Sequence, residues 1–95
     1  MARFAIVATF DVADGRIEEF LPLLLAHRDR CLKDEPGTLR FEVLRPRTEE
    51  NLVYEVYEDD AAFQVHWQGP SVARIRAETA GMVEKLSGIR CSLLE

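Results

Sequence analysis

The chain has 95 residues, 12 of them basic and 17 acidic, for a net charge of −5. Hydrophobic residues make up 47% and charged residues 31%, a globular balance that argues against disorder. The acidic balance excludes a nucleic-acid or anionic-membrane surface, because no cationic field gathers phosphates. No apolar run approaches the length of a membrane span. Met1-Ala2-Arg3 leads into a strand-like segment rather than a signal peptide, so a small, soluble, cytoplasmic protein is expected. One domain over residues 1–95 is all the length allows. A chain this short buries only roughly 60–70% of its unfolded surface, so self-association is expected as well.

Phe4 to Phe10 is a short apolar run rich in aromatic and β-branched residues, which predicts a strand. Both of its faces are apolar, so it should be covered on both sides. Asp14-Gly15 turns the chain and offers Asp14 as a helix N-cap. From Arg16 to about Lys33, Ile17, Phe20, Leu21, Leu24, Leu25, Arg28, Cys31 and Leu32 fall at helical spacing. Pro22 lies inside that pattern and predicts a kink or a late start. Glu35-Pro36-Gly37 ends the helix.

Two strands follow, one with Leu39, Phe41 and Val43 alternating with Arg40 and Glu42, the other over Leu52 to Tyr57. The polar link from Arg45 to Asn51 joins them as a hairpin with a long loop. Asp59 and Asp60 cap a short helix through Gln68, and Gly69-Pro70 breaks it. Ser71 recaps the chain, and Val72, Ile75, Thr79, Met82, Val83 and Leu86 continue the helical spacing. A last strand runs from Ile89 to Leu94. The order β-α-β-β-α-β predicts an α+β, ferredoxin-like fold: a four-stranded antiparallel sheet with helices on one face. Apolar residues on the other face predict a homodimer in which two sheets pack face to face.

Few side chains offer chemistry. His66 falls three after Phe63, on one face of a short helix with Trp67 beside them. An imidazole there suits a general base, and the plainer alternative is a half-buried histidine that only packs. Glu55 sits mid-strand between Val53 and Tyr57, and a carboxylate on an apolar face must be paired, protonated or at a cavity. Arg28, Arg40 and Arg90 are its candidate partners, with Arg28 first because it interrupts the apolar stripe of its helix. Tyr54 and Tyr57 point to opposite faces. His27 falls off the stripe and reads as solvated. Cys31 and Cys91 sit on apolar faces and read as buried free thiols, with no Cys-x-x-Cys pair or Cys/His cluster to form a zinc set. Without a phosphate loop, a dinucleotide fingerprint or paired ligands, neither cofactor nor metal is expected.

Taken in order, Glu35-Pro36-Gly37-x-Leu39-x-Phe41, then Tyr54-Glu55-Val56-Tyr57-Glu58-Asp59, Ala62-Phe63-x-x-His66 and Gly69-Pro70-Ser71 carry a likeness. On this topology they resemble the antibiotic biosynthesis monooxygenase family of dimeric α+β barrels, to which quinol monooxygenases belong. Where the family usually reads Ser-Pro-His, this chain has Gly69-Pro70-Ser71, so the family's second histidine is missing. Haem-degrading relatives carry an Asn, a Trp and a His where this chain has Ala8, His66 and Arg76, so the haem ligand is lost. The resemblance implies cofactor-independent oxygenation of a small phenolic or hydroquinone substrate that supplies its own electrons to O2. It makes His66 the base, with Glu55 and Tyr57 as further catalytic candidates. Phe10, Phe41, Phe63 and Trp67 would wall the pocket, and Arg28 would set its electrostatics together with Glu55. Two other readings stand beside it: an isomerase of a small metabolite, phosphorylated or not, favoured if Arg28, Arg74 and Arg76 converge into a basic pocket, and a non-catalytic small-molecule-binding dimer.

Overall fold

The fold, described by a computed structural model for residues 3–45 and 50–94, alternates strands and helices in the expected order. The elements are β1 (Phe4–Val12), α1 (Ile17–Asp34), β2 (Thr38–Leu44), β3 (Glu50–Tyr57), α2 (Asp60–Trp67), α3 (Pro70–Glu78) and β4 (Val83–Ser92). All strand pairs are antiparallel, in the sheet order β2-β3-β1-β4. The fold is therefore ferredoxin-like α+β, with its second helical segment divided at Gly69. Glu50 and Asn51, expected in the hairpin loop, belong to β3, and residues 46–49 of that loop lie outside the described residues.

Register decides which side chains meet the helices. Ile6 pairs with Glu55 on one side and Arg90 on the other, and Phe41 pairs with Glu55. Because side chains alternate along a strand, Ile6 and Ala8 share a face with Glu55, Tyr57 and Phe41. That face packs on Phe20, Leu24 and Cys31 of α1 and Phe63 of α2 to form the core. Among the described residues no helix lies over the opposite face, which carries Val7, Tyr54, Leu44, Ile89 and Cys91 by the same registers. Cys91 is half-buried there, not enclosed as the sequence pattern suggested, because β4 is an edge strand.

Helix α1 departs from its expected phase. Its buried residues are Phe20, Leu24, His27 and Cys31, a stripe stepping by four, three and four. Leu25 and Leu32, counted into the stripe from sequence, are exposed. Asp14 does not cap the helix: Arg16 holds the N-cap position without a side-chain bond, after Gly15 at φ +78°. The helix is assigned without a break through Pro22, which lies in its second turn. No helix among the described residues is long and apolar enough to cross a membrane.

At the other end, the expected helix through Leu86 stops at Glu78. The Thr79 hydroxyl donates to the Ile75 carbonyl at 2.7 Å, and Met82 N–H donates to the Thr79 carbonyl at 2.9 Å. Gly81 takes φ +83°, a left-handed conformation that suits glycine. The chain then enters β4 at Val83, so that Leu86 pairs with Phe10. Backbone pairing along β1 thus overrides a pattern that, for Val83 and Leu86, fitted a helix by spacing alone.

Candidate functional site

Between the helices and the sheet lies a cavity of about 530 Å³. Phe10, Phe41, Phe63 and Trp67 all line it, and its polar groups include His27, Glu55 and His66. Four segments bring the polar groups together. Helix α2 is capped by Asp59, whose carboxylate accepts from Ala62 N–H at 2.8 Å, and it carries His66 in its last turn. The Glu35-Pro36-Gly37 turn lies against α2 so closely that a Cβ at Gly37 would fall 2.5 Å from the Ala62 Cβ. Glycine is therefore what lets the turn approach, and the approach carries Glu35 to His66.

There His66 Nδ1 lies 2.8 Å from Glu35 Oε1. The Thr38 hydroxyl donates to the same oxygen at 2.8 Å. A carboxylate oxygen is an acceptor for both, so Nδ1 donates to it, and Nε2 is the ring nitrogen not engaged by Glu35. Glu35, Thr38 and His66 are all buried, which makes this chain of bonds strong and geometrically fixed.

Nε2 of His66 faces the third segment, 3.5 Å from Oε1 of Glu55 on β3. Burial pushes the Glu55 carboxyl above the usual carboxylate range, while the Tyr57 hydroxyl and His66 pull it back. Tyr57 donates its hydroxyl to Glu55, and burial with the neighbouring Glu55 holds the phenol in its protonated form. Tyr57 is fully buried and is not among the cavity-lining side chains, so it supports Glu55 from behind rather than meeting a ligand.

His27 supplies the fourth segment and corrects the sequence reading. It is buried rather than solvated, with its ring 5.8 Å from His66 and edge-on to Phe41 at 5.5 Å. Burial, with His66 and Arg30 nearby, lowers its pKa from 6.5 to about 4, so it stays neutral. The expected absence of a Cys/His cluster is overturned too. Cys31, one turn along α1, places Sγ 3.5 Å from His27 Nε2. Burial and then Glu35 push its thiol up.

Arg28 is not the partner of Glu55. It lies outside the cavity lining, and its Nε donates to Asp29 at 2.9 Å. Arg40 instead bonds Glu42. Of the arginines singled out from the sequence, Arg76 and Arg90 reach the cavity, where their guanidinium groups lie 4.6 Å from the Trp67 ring and 5.5 Å from the Phe63 ring. Glu35, Thr38 and His27 are site residues to which the sequence reading gave no role. Two of them had a signal: Glu35 an acidic side chain in a helix-ending turn, His27 a spacing of seven from Phe20.

No curated protein sequence matches the chain significantly. Among solved structures it is similar to a putative antibiotic biosynthesis monooxygenase from Caulobacter crescentus, at 21% identity and TM-score 0.92, covering 99% of this chain and 92% of that one. A protein of the same printed name from Bacteroides thetaiotaomicron shares 22% identity at TM-score 0.89, over 99% of this chain and 91% of that one. PA3566 from Pseudomonas aeruginosa shares 20% identity at TM-score 0.89, over 100% and 97%. At such identities these likenesses speak to the fold. The family pattern described as antibiotic biosynthesis monooxygenase matches residues 3–78, a span that holds His27, Glu35, Glu55 and His66. The chain therefore belongs to the antibiotic biosynthesis monooxygenase family.

Proposed function

We propose that this protein is a cofactor-independent monooxygenase of a small phenolic or hydroquinone substrate, with His66 as the base. Family membership supports a monooxygenase-like activity. The observation that carries the finer reading is the Glu35–His66 contact: Nδ1 is tied to buried Glu35, which leaves Nε2, 3.5 Å from Glu55, to exchange a proton on a side chain that lines an aromatic-walled cavity. A cavity of about 530 Å³ is within the range of small-molecule sites.

In the reaction, Nε2 takes the phenolic proton, and the imidazolium that forms is stabilised by the Glu35 carboxylate. The electron-rich phenolate passes one electron to O2, giving a substrate radical and superoxide. Their recombination forms a peroxide anion, which takes the proton back from the His66 imidazolium to become a hydroperoxide. Loss of water from it leaves one oxygen atom in the product carbonyl. The protein contributes the base, a dry pocket and orientation between the rings of Phe41 and Phe63. Of the three arginines that an isomerase of phosphorylated substrates would require, Arg28 and Arg74 are paired with Asp29 and Glu78, which does not favour that reading.

The active form is a cytoplasmic homodimer joined through the helix-free faces of the sheet. Ile89 at 65% and Leu44 at 46% exposure support it, both projecting from that face. An oxygen electrode with a panel of hydroquinones tests the activity: stoichiometric O2 uptake with oxidised product is expected. Turnover of the same substrate under strict anaerobiosis overturns it.

A further inference from the structure

Cys31 is wholly buried, lies outside the cavity lining and has no task in the reaction above. It nevertheless belongs to the one His/Cys/carboxylate group among the described residues that is close enough to hold a metal ion. One nitrogen each of His27 and His66 and the Sγ of Cys31 lie within 4.8 Å of one another, all three residues buried. Cys31 Sγ lies 3.5 Å from Nε2 and 3.7 Å from Nδ1 of His27, nearly equidistant from the two nitrogens, so a turn of the imidazole about its Cβ–Cγ bond is what would aim one lone pair at an ion shared with the thiolate. His27 and Cys31 project from successive turns of one helix, four residues apart, so the pair is held at that spacing by the backbone.

We infer that His27, Cys31 and His66 bind one thiophilic divalent cation of the zinc type, and that its binding withdraws His66 from the reaction. The donor set of two imidazoles and one thiolate suits a borderline-soft ion and disfavours magnesium or calcium. Glu35 accepts from Nδ1 of His66 and so presents Nε2 as the ligating atom, the carboxylate–histidine arrangement that orients imidazoles at metal centres. Because the two imidazoles line the cavity, a fourth position opens toward it, with Glu55 3.5 Å from the same Nε2. On binding, Cys31 releases its proton to solvent as the metal–sulfur bond forms; no electron is transferred. The lone pair that would take the substrate proton is then committed to the ion. The inhibitory part rests on the reading of His66 as the base; the binding part stands without it.

The test uses the full chain, stripped with a chelator and titrated with Co2+ and then Zn2+. One equivalent of Co2+ should bring up a thiolate-to-cobalt charge-transfer band, and Zn2+ should bleach it. Zn2+ should also raise the melting temperature and abolish hydroquinone-dependent O2 uptake, and chelator should restore both. Cys31→Ser should lose the charge-transfer band, bind Zn2+ at least ~100-fold more weakly and keep the metal-free O2 uptake rate. His27→Gln gives a second variant with the thiol intact, and it should weaken Zn2+ as strongly. Absence of the band, or a band that survives in Cys31→Ser, overturns the site. A band with O2 uptake untouched by Zn2+ overturns the inhibition. A chain with the band but no uptake on any hydroquinone, metal-free, refutes the oxygenase reading and leaves the site standing.

Discussion

Glu35 and His66 are 31 positions apart in the chain, yet Oε1 of one and Nδ1 of the other lie 2.8 Å apart in a buried setting. The contact makes Glu35 a positioning residue: it fixes the tautomer and steadies the charge that His66 acquires. Hydrogen bonds to charged groups contribute about 1.5–3 kcal/mol, so Glu35→Gln should lower kcat by roughly 10- to 100-fold with little change in KM. His66→Ala, which removes the base, should cost roughly a hundredfold or more in rate while leaving the fold and the dimer intact. Steady-state O2 uptake on the two variants reads both effects. Equal rates in wild type and Glu35→Gln would show that the contact only packs.

The route by which Glu35 reaches His66 makes its own prediction. With a Cβ at Gly37 only 2.5 Å from the Ala62 Cβ, Gly37→Ala forces the turn and α2 apart. Overpacking of this kind costs about 1–3 kcal/mol, and the Glu35–His66 bond should lengthen with it. Chemical denaturation should show the lower midpoint, and O2 uptake should fall beyond what the stability loss explains. Gly37→Ala/Ala62→Gly, which returns the space, should recover most of the stability.

Much of this architecture is legible in the sequence, because strand alternation and the Gly/Pro punctuation are local signals. The β1 face of Ile6 and Ala8 and the turn at Glu35-Pro36-Gly37 follow from such patterns. What fails is phase and pairing. Leu21, Leu24 and Leu25 pull the apparent stripe of α1 toward Arg28, whereas the packed stripe is Phe20, Leu24, His27 and Cys31. One step around the helix turns a solvated histidine into a site residue. Glu55 shows the same limit: its partners Tyr57 and His66 are set by burial and by the position of α2, which no single-segment pattern contains.

The dimer is testable through two neighbours on β4. Ile89 and Cys91 project from the helix-free face, Ile89 65% exposed and Cys91 half-buried. Sedimentation at low micromolar concentration should give twice the chain mass, and Ile89→Asp should shift it toward the monomer by placing a charge in an apolar interface. Cys91 should label slowly with a thiol reagent in the wild-type dimer and quickly in Ile89→Asp. Cys31, wholly buried in the core, should label in neither until denaturant is added. Fast labelling of Cys91 in a wild-type protein of monomeric mass would remove the proposed interface.

The neutral imidazole of His27 should leave a signature in acid. In the unfolded, metal-free chain this group takes its proton near the ordinary value of 6.5, whereas in the folded chain it does so only near 4. Between those values the unfolded state binds more protons, so stability rises with pH across the window and is lost as pH falls from about 6.5 toward 4. Glu55 runs the other way. Its folded value is raised, so its contribution is fullest in acid, below the ordinary 4.5, and declines as pH rises through the folded value. The two slopes oppose each other, so a variant is needed to separate them. His27→Gln removes the titrating group while keeping a polar side chain, and it should flatten the loss between pH 6.5 and 4 relative to wild type. Urea midpoints followed by circular dichroism at intervals across that range, in chelator-treated protein, measure the difference. Parallel curves for the two proteins would mean that His27 charges freely in the folded state, and the buried neutral imidazole would have to be abandoned.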